Sequence, residues 1–140
     1  MLNQQSGLLG ISGVSSDMRE VLAAIRQGHE RAKLAFDMFV HRLQIAIGGM
    51  AAVLGGVDSL VFTAGVGENS SEVRAAACNT LGFLGIRLDS ELNLRPALDA
   101  NISAADSRVR ILVIRAEEDW AIATECWKLA RVAAPAGIGA

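Results

Sequence analysis

The sequence has few cysteines and no strong excess of either charge. Cys78 and Cys126 are far apart and each lies in a helix-like apolar pattern, which predicts two buried free thiols and a cytoplasmic location rather than a disulfide or a metal pair. Thirteen basic against fifteen acidic residues leave a net charge of -2. Because no basic field results, we expect neither a nucleic acid nor a membrane as a partner.

Long hydrophobic runs are also missing. The longest apolar run, residues 43–57, contains Gln44 and several glycines and is shorter than the ~20 residues that a bilayer crossing needs. We interpret this run as a buried helix end. The first ten residues lack a basic region followed by an apolar core, so they do not predict a secretory signal.

The remaining composition favours a folded domain. The chain has 140 residues, of which 51% are hydrophobic and 20% are charged. This length and apolar content suit one globular domain, or a piece of one, with a substantial core.

The first part of the chain has mainly helical patterns. Residues 7–17 are rich in glycine and serine and predict a loop. A short helix follows, capped by Ser16 or Asp17 and ended by Gly28.

A long helix is predicted over Glu30–Leu54, with Gly55 ending it. One stripe of this helix carries apolar residues: Ala32, Ala35, Phe36, Phe39, Leu43, Ala46 and Met50. Because charges become rare after Arg42, we expect its second half to be covered on most sides.

The second part of the chain alternates between strand and helix patterns. Residues 57–65 predict a strand buried on both faces. A helix capped by Asn69 or Ser70 is predicted to reach about residue 81. Short strands are predicted at 85–89 and 108–116.

The last predicted helix covers residues 117–131, where Trp120 and Trp127 indicate a packed face. Alternating strands and helices favour an α/β layer with parallel strands. Because such sheets have about five or six strands, the two longer predicted strands, at 57–65 and 108–116, indicate that other strands are missing.

The turn after the first strand is a candidate ligand site. Residues 63–67, Thr-Ala-Gly-Val-Gly, follow the carboxyl end of that strand, where open α/β sheets bind ligands. Glycines allow close approach of a ligand to the backbone. The next helix start can favour a phosphate, although Glu68 would repel one directly against it. Taken alone, such a turn is as often an ordinary connection as a binding site.

Three segments together resemble the acetate kinase family. LVFTAGVGENSSEVR, residues 60–74, resembles a T-[AG]-G-[IV]-G-E-N turn followed by an E-[IV]-R helix start. SGLLGISGVSSDMRE, residues 6–20, resembles S-G-x-x-G-x-S-G-x-S-x-D-x-R, and IRAEEDWAIA, residues 114–123, resembles E-E-x-x-I-A. The three matches occur in the family's order and span nearly the whole chain.

The resemblance is to the carboxy-terminal part of that family, and it implies a fold. The expected fold is α/β: a partial ribonuclease-H-like domain of the actin-like ATPase superfamily, with helices on a small, mainly parallel sheet that lacks its opening strands. Residues 1–132 would form this partial nucleotide-binding domain, and residues 133–140 a flexible tail.

The resemblance also implies a reaction, transfer of a phosphoryl group from ATP to acetate or a similar short carboxylate, with Mg²⁺ as a cofactor and a homodimer as the assembly. The family's N-x-G-S-S-S-x-K segment, and its phosphoryl-stabilising histidine and arginines, find no match in this sequence. We therefore expect this chain to be inactive alone. The alternative is a non-catalytic dimerisation or interaction module.

Particular residues inherit roles through the matched motifs. Nucleotide binding is implied for Asp17, Met18, Arg19, Gly65, Val66, Gly67, Glu68 and Asn69, with Met18 against adenine. Glu118 is implied as the magnesium ligand. Simpler roles stay open, because Asp17 and Asn69 could be helix caps and Glu118 could favour a helix dipole. Arg19 and Arg74 could contact phosphate or be ordinary arginines.

Overall fold

The fold comes from a computed structural model, which describes residues 6–97 and 99–133. Its helices are α1 (Gly7–Ser12), α2 (Met18–Arg26), α3 (Glu30–Leu54), α4 (Ala64–Asn69), α5 (Ser71–Cys78), α6 (Ser90–Leu94) and α7 (Glu118–Ala133). Its strands are β1 (Ser59–Phe62), β2 (Ala100–Asn101) and β3 (Arg110–Val113), and a single 3₁₀ turn covers Gly82–Leu84. Residues 134–140 of the predicted tail lie outside the described residues.

The predicted loop at residues 7–17 is wrong in its first half, which forms α1. Gly13 ends this helix in the left-handed region, with φ of 69°, and its N–H donates to the Leu9 carbonyl. The guanidinium of Arg31 on α3 donates to the carbonyls of Gly10 and Ile11. Because these bonds satisfy carbonyls of the last helical turn, the long-range contact stabilises a helix that local composition disfavours.

The boundaries of the next two helices confirm the prediction. Asp17 caps α2 by accepting a hydrogen bond from the Arg19 N–H. Gly55, with φ of 73°, ends α3 at the predicted position. The cap at the start of α3 is His29, whose Nδ1 accepts from the Ala32 N–H at 3.1 Å.

The sheet is small and mixed, in the order β1-β3-β2. β1 and β3 run parallel, from the pair Ser59 and Arg110 to the pair Phe62 and Val113, whereas β2 pairs antiparallel with β3. Within the described residues, β1 therefore has one paired edge and one open edge. The predicted strand at 85–89 is reduced to one bridge, between Leu88 and Ser103.

The expected burial of β1 on both faces is wrong. Phe62 is 7% exposed, but Val61 on the opposite face is 49% exposed. The predicted helix after the turn begins at Ser71, with Ser70 as its cap, and ends at Cys78.

In the part of the chain that the structure describes, two clusters of buried residues form the core. One lies between the sheet and α5 and includes Phe62, Cys78, Ile102 and Ile111. The other joins α2, α3 and α5, through Met18, Val21, Ala32 and Val73. Leu43 of α3 packs against both clusters, so the long helix connects the sheet to the helical amino-terminal part.

The second half of α3 is exposed rather than covered, which contradicts the prediction. Ile45, Met50, Val53 and Leu54 are each between 59% and 78% exposed. The run at 43–57 is thus not a buried helix end. No helix in the described ranges is long and apolar enough to span a membrane.

The last helix is also exposed. Trp120 and Trp127 are 70% and 64% exposed, so the predicted packed face is wrong in this chain. Arg131 lies over the Trp127 ring, 5.3 Å from its centroid. Cys126 on the same helix is exposed, whereas Cys78 is buried as predicted. The physical reason is that no element of the described ranges packs extensively against α7.

Candidate functional site

A cleft of about 650 Å³ lies between α2 and the α4–α5 segment, at the carboxyl end of β1. Its lining residues come from two stretches of the chain: Ser16, Asp17, Met18, Arg19, Leu22 and Arg26 from one, and Gly65, Val66, Asn69, Ser70 and Glu72 from the other. Clefts of roughly 300–1,000 Å³ suit small organic ligands. The structure therefore brings together two predicted segments that are far apart in sequence.

Asp17 and Arg19 form an ion pair at the start of α2. The Arg19 Nη2 lies 2.5 Å from the Asp17 Oδ2, and the Arg19 Nε is 3.1 Å from both carboxylate oxygens. Hydrogen bonds from the Arg19 side chain, and then from its backbone N–H, lower the pKa of Asp17 to about 2. Asp17 is therefore an ionised carboxylate at neutral pH.

Arg19 keeps donors for a ligand despite this pairing. Its side chain is 86% exposed. A guanidinium has five N–H donors, and Asp17 engages only those on Nε and Nη2. The Nη1 donors are therefore not engaged by Asp17.

Met18 lies in the core as much as in the cleft. It is 4% exposed and belongs to the buried cluster with Val21 and Val73. It can present only a small apolar surface to a ligand, at the base of the cleft.

The opposite wall begins with α4, so the predicted glycine turn is a short helix. Ala64 enters it with φ of 58°, a left-handed conformation unusual for a residue with a side chain. At Gly65 an added Cβ would have no atom within 4 Å, so this backbone borders open space. The Asn69 Nδ2 donates to the Gly65 carbonyl at 2.8 Å, which fixes the amide beside that opening.

Gly67 and Glu68 lie outside this cleft lining. A Cβ at Gly67 would be 3.3 Å from the Phe62 carbonyl carbon, so this glycine allows α4 to pack closely on the end of β1. The Glu68 Oε1 accepts a hydrogen bond from the Ala116 N–H at 2.8 Å. Glu68 borders a second, smaller cavity of about 300 Å³, which shares Asn69 with the first.

Several lining residues were missed from the sequence. Leu22 and Arg26 follow Met18 at intervals of four on α2, and that spacing places all three on one helix face. Across the cleft, the Arg26 Nη2 is 2.7 Å from the Glu72 Oε1. The pKa of Glu72 is lowered, first by a hydrogen bond from its own backbone N–H and then by Arg26 and Ser71, against an opposing desolvation effect.

Arg74 is not a phosphate partner in this structure. It is 1% exposed, and its guanidinium donates to the carbonyls of Gly67, Glu68 and Asn93 and to the Asn93 side chain. Burial lowers the pKa of Arg74. Arg74 therefore connects the last carbonyls of α4 to α6 by hydrogen bonds, and it stabilises α4 from outside the cleft.

Glu118 begins α7 as an exposed carboxylate outside both cavity linings. In the described ranges, no three acidic, histidine or cysteine side chains cluster as a metal site. Magnesium bound with a nucleotide needs only one or two carboxylates, with phosphates and waters as the other ligands. Glu118 is a single exposed carboxylate, and its role as a magnesium ligand stays a prediction.

Comparison with known proteins identifies the family of this chain. The sequence model of the Acetokinase family matches residues 1–124. Acetate kinases of Gloeothece citriformis and Gloeobacter violaceus are each 59% identical to the chain over 127 and 128 residues, which is 91% of the chain. The chain covers only 31% and 32% of those relatives, or about a third of their length.

Solved structures agree with the sequence comparison. The acetate kinase of Porphyromonas gingivalis has a TM-score of 0.82 and 43% identity, and it aligns with 92% of this chain and 33% of its own. The acetate kinase of Entamoeba histolytica has a TM-score of 0.84 and 36% identity, with 91% and 34% covered. These matches confirm the predicted α/β fold as part of an acetate kinase fold. The chain belongs to the acetokinase family.

Proposed function

We propose that this chain is the nucleotide-binding portion of an acetate kinase, a phosphotransferase with a carboxyl group as acceptor. In the complete enzyme the reaction would convert ATP and acetate into acetyl phosphate and ADP. One observation carries the proposal: the Asp17–Arg19 segment borders the same cleft as Gly65, Val66 and Asn69, at the carboxyl end of a parallel strand.

Some cleft residues would contact the nucleotide, and others would hold those residues in place. Arg19 would donate to the phosphates from its Nη1 edge, with Asp17 holding the guanidinium. Gly65 and Val66 would let the ligand approach the backbone of α4, and the Asn69 side chain would offer a polar contact. Met18 would contribute an apolar edge at the base.

The remaining inherited residues would act from outside this lining. Gly67 would support the wall through its close packing on β1, and Glu68 through its bond to the Ala116 N–H. Glu118 would be a carboxylate ligand of Mg²⁺. The ion, when bound, would neutralise charge on the nucleotide phosphates.

We propose that the chain alone does not catalyse the reaction. Phosphoryl transfer depends on positioning and on charge neutralisation around the transferred group. The chain spans only about a third of the length of its relatives. Of the two arginines that line the cleft, Arg26 is paired with Glu72 across it, so Arg19 alone would supply positive charge to the phosphates. A reducing cytoplasm is the proposed location, supported by free thiols at Cys78 and Cys126.

A second proposal is association through α3, as a homodimer or as an interaction module without useful ATP affinity. Leu34, Met38 and Ile45 are 52%, 44% and 60% exposed. Their spacing of four and seven residues places them on one stripe, away from the face that packs on the core. An apolar stripe of this kind is typical of a surface that another protein covers.

Titration with ADP and Mg²⁺ tests the nucleotide proposal. We expect a rise in the melting temperature, because a ligand at 100 times its Kd stabilises the folded state by about 2.7 kcal/mol. Gly65→Val should keep the fold, because its side chain would project into open space. It should lose the rise in melting temperature, because that space belongs to the cleft. If millimolar nucleotide leaves the wild-type melting temperature unchanged, the interaction-module proposal is favoured instead.

A further inference from the structure

Two carboxylates hold two consecutive backbone amides just before α7. The Asp99 Oδ1 accepts from the Arg115 N–H at 3.1 Å. The Glu68 Oε1 accepts from the Ala116 N–H at 2.8 Å. Residues 115 and 116 follow β3 and lie outside its ladder, so these amides would otherwise depend on water.

The segment held in this way leads directly into Glu118. Glu117, the next residue, has φ of 44°, and Glu118 starts the helix. Among the residues that the structure describes, the non-glycine residues with positive φ are Ala64, Asp99 and Glu117. Ala64 begins the helix that carries Glu68, so all three unusual conformations lie in or next to the elements that form the two bonds. Such conformations persist only where surrounding contacts fix them.

We propose that Glu68 and Asp99 are positioning residues that fix the 115–118 segment, and with it the Glu118 carboxylate, relative to α4. The metal role of Glu118 is taken from the proposed function, and this inference rests on it in that respect alone. Glu68 would thus connect the helix that borders the nucleotide cleft to the residue expected to meet the magnesium ion.

The charges and contacts favour this role over direct nucleotide contact by Glu68. Its Oε1 is engaged by the Ala116 N–H, and the residue lines the smaller cavity rather than the cleft. A carboxylate placed against a phosphate would repel it, whereas a carboxylate that accepts from a backbone N–H forms a charge-assisted bond. The hydrogen bond from the Ala116 N–H also explains how an acidic residue can lie on the helix that borders the cleft, because this bond engages the carboxylate.

Amide hydrogen exchange on the full chain tests the two bonds without any ligand. We expect the Ala116 amide to be protected in the wild type and to exchange about tenfold faster or more in Glu68→Ala, which has no acceptor. Glu68→Gln should retain most of the protection, because its amide oxygen can accept the same bond. Glu91→Ala, an exposed acid on α6, is the matched control and should leave Ala116 unchanged.

Nuclear magnetic resonance relaxation of the Glu118 amide then tests positioning. In the wild type and in Glu68→Gln we expect an order parameter near 0.85, the value of rigid backbone, and in Glu68→Ala a fall toward 0.6. An unprotected Ala116 amide in the wild type would overturn the proposal. So would a Glu68→Gln variant as perturbed as Glu68→Ala, or a Glu118 amide equally rigid in all variants.

A magnesium comparison connects the positioning to the ligand. The ratio of ADP affinity with Mg²⁺ to ADP affinity without it should fall several-fold in Glu68→Ala and stay near the wild-type ratio in Glu68→Gln. An unchanged ratio in Glu68→Ala would contradict a role for Glu68 in placing Glu118. If the wild type binds no nucleotide, the proposed function fails, and the exchange and relaxation results alone decide whether the two carboxylates fix the segment.

Discussion

The cleft and the outer surfaces of α3 and α7 differ in how far residues of this chain pair their polar groups and cover their apolar area. Around the cleft, polar groups are paired by residues from several elements, and in the described ranges no buried side-chain nitrogen or oxygen lacks a hydrogen-bond partner. On the other surface, Ile45, Val53, Trp120 and Trp127 expose most of their apolar area. Residues of this chain therefore line both sides of the cleft, whereas α3 and α7 expose apolar surface of the kind that another protein can cover.

The buried support of the cleft should give the largest effect. Arg74→Met removes a guanidinium that donates to Gly67, Glu68 and Asn93, leaving buried acceptors unsatisfied. We expect the free energy of unfolding to fall by about 3 kcal/mol or more in urea denaturation. Arg19→Met, at an exposed arginine, is the control and should change stability only slightly. If both variants lose the same free energy of unfolding, the structural role is not specific to Arg74.

The two glycines of α4 should separate stability from binding. Gly67→Ala places a Cβ 3.3 Å from the Phe62 backbone, so we expect a loss of about 1–3 kcal/mol in the free energy of unfolding. Gly65→Ala meets no atom within 4 Å and should leave stability nearly unchanged while weakening ADP binding. Denaturation and calorimetric titration of both variants give the two readings. A stable Gly67→Ala variant with weakened ADP binding, together with a destabilised Gly65→Ala variant, would contradict these assignments.

The apolar stripe should govern association. Leu34→Glu combined with Ile45→Glu places two charges on the exposed side of α3, so a homodimer formed there should dissociate at about tenfold higher concentration or more. Sedimentation velocity over a concentration series measures this change. Glu30→Gln on the same helix is a control that leaves the stripe intact. A wild-type chain that stays monomeric at every concentration would exclude the homodimer.

The Asp17–Arg19 pair should give the smallest effect, visible in the pH dependence of stability. The pKa of Asp17 is about 2 in the folded chain and 3.8 by its ordinary value, so its stabilising effect is present above pH 4 and lost as the pH falls toward 2. Asp17→Asn keeps a good N-cap and removes the charge. Melting temperatures of the wild type and variant should differ slightly at pH 7 and converge near pH 2. A constant difference across this range would contradict the assigned pKa.

Local signals in the sequence predicted the helix ends well. Asp17 and Gly55 lie where capping rules place them, because caps depend on residues close in sequence. Of the residues that the matched motifs named, Gly67, Glu68 and Glu118 lie outside the cleft lining, whereas the others border it. Arg26 and Glu72 were missed because their pairing joins helices far apart in the chain.

Burial was predicted less well than secondary structure. The apolar content of α3 and β1 predicted coverage on most sides, yet Val53 and Val61 are exposed in this chain. An apolar pattern indicates that a surface can be buried, but it does not say which polypeptide buries it. The α1 helix was missed for a related reason, since Arg31 from another helix satisfies its last carbonyls.

Chemical-shift mapping of the ¹⁵N-labelled chain with ADP and Mg²⁺ shows whether a nucleotide binds between α2 and α4. We expect perturbation of Arg19 and of Gly65, Val66 and Asn69 at the same ligand concentration, because both segments border one cleft. Perturbation of only one segment, or shifts confined to α3 and α7, would contradict a nucleotide site between α2 and α4.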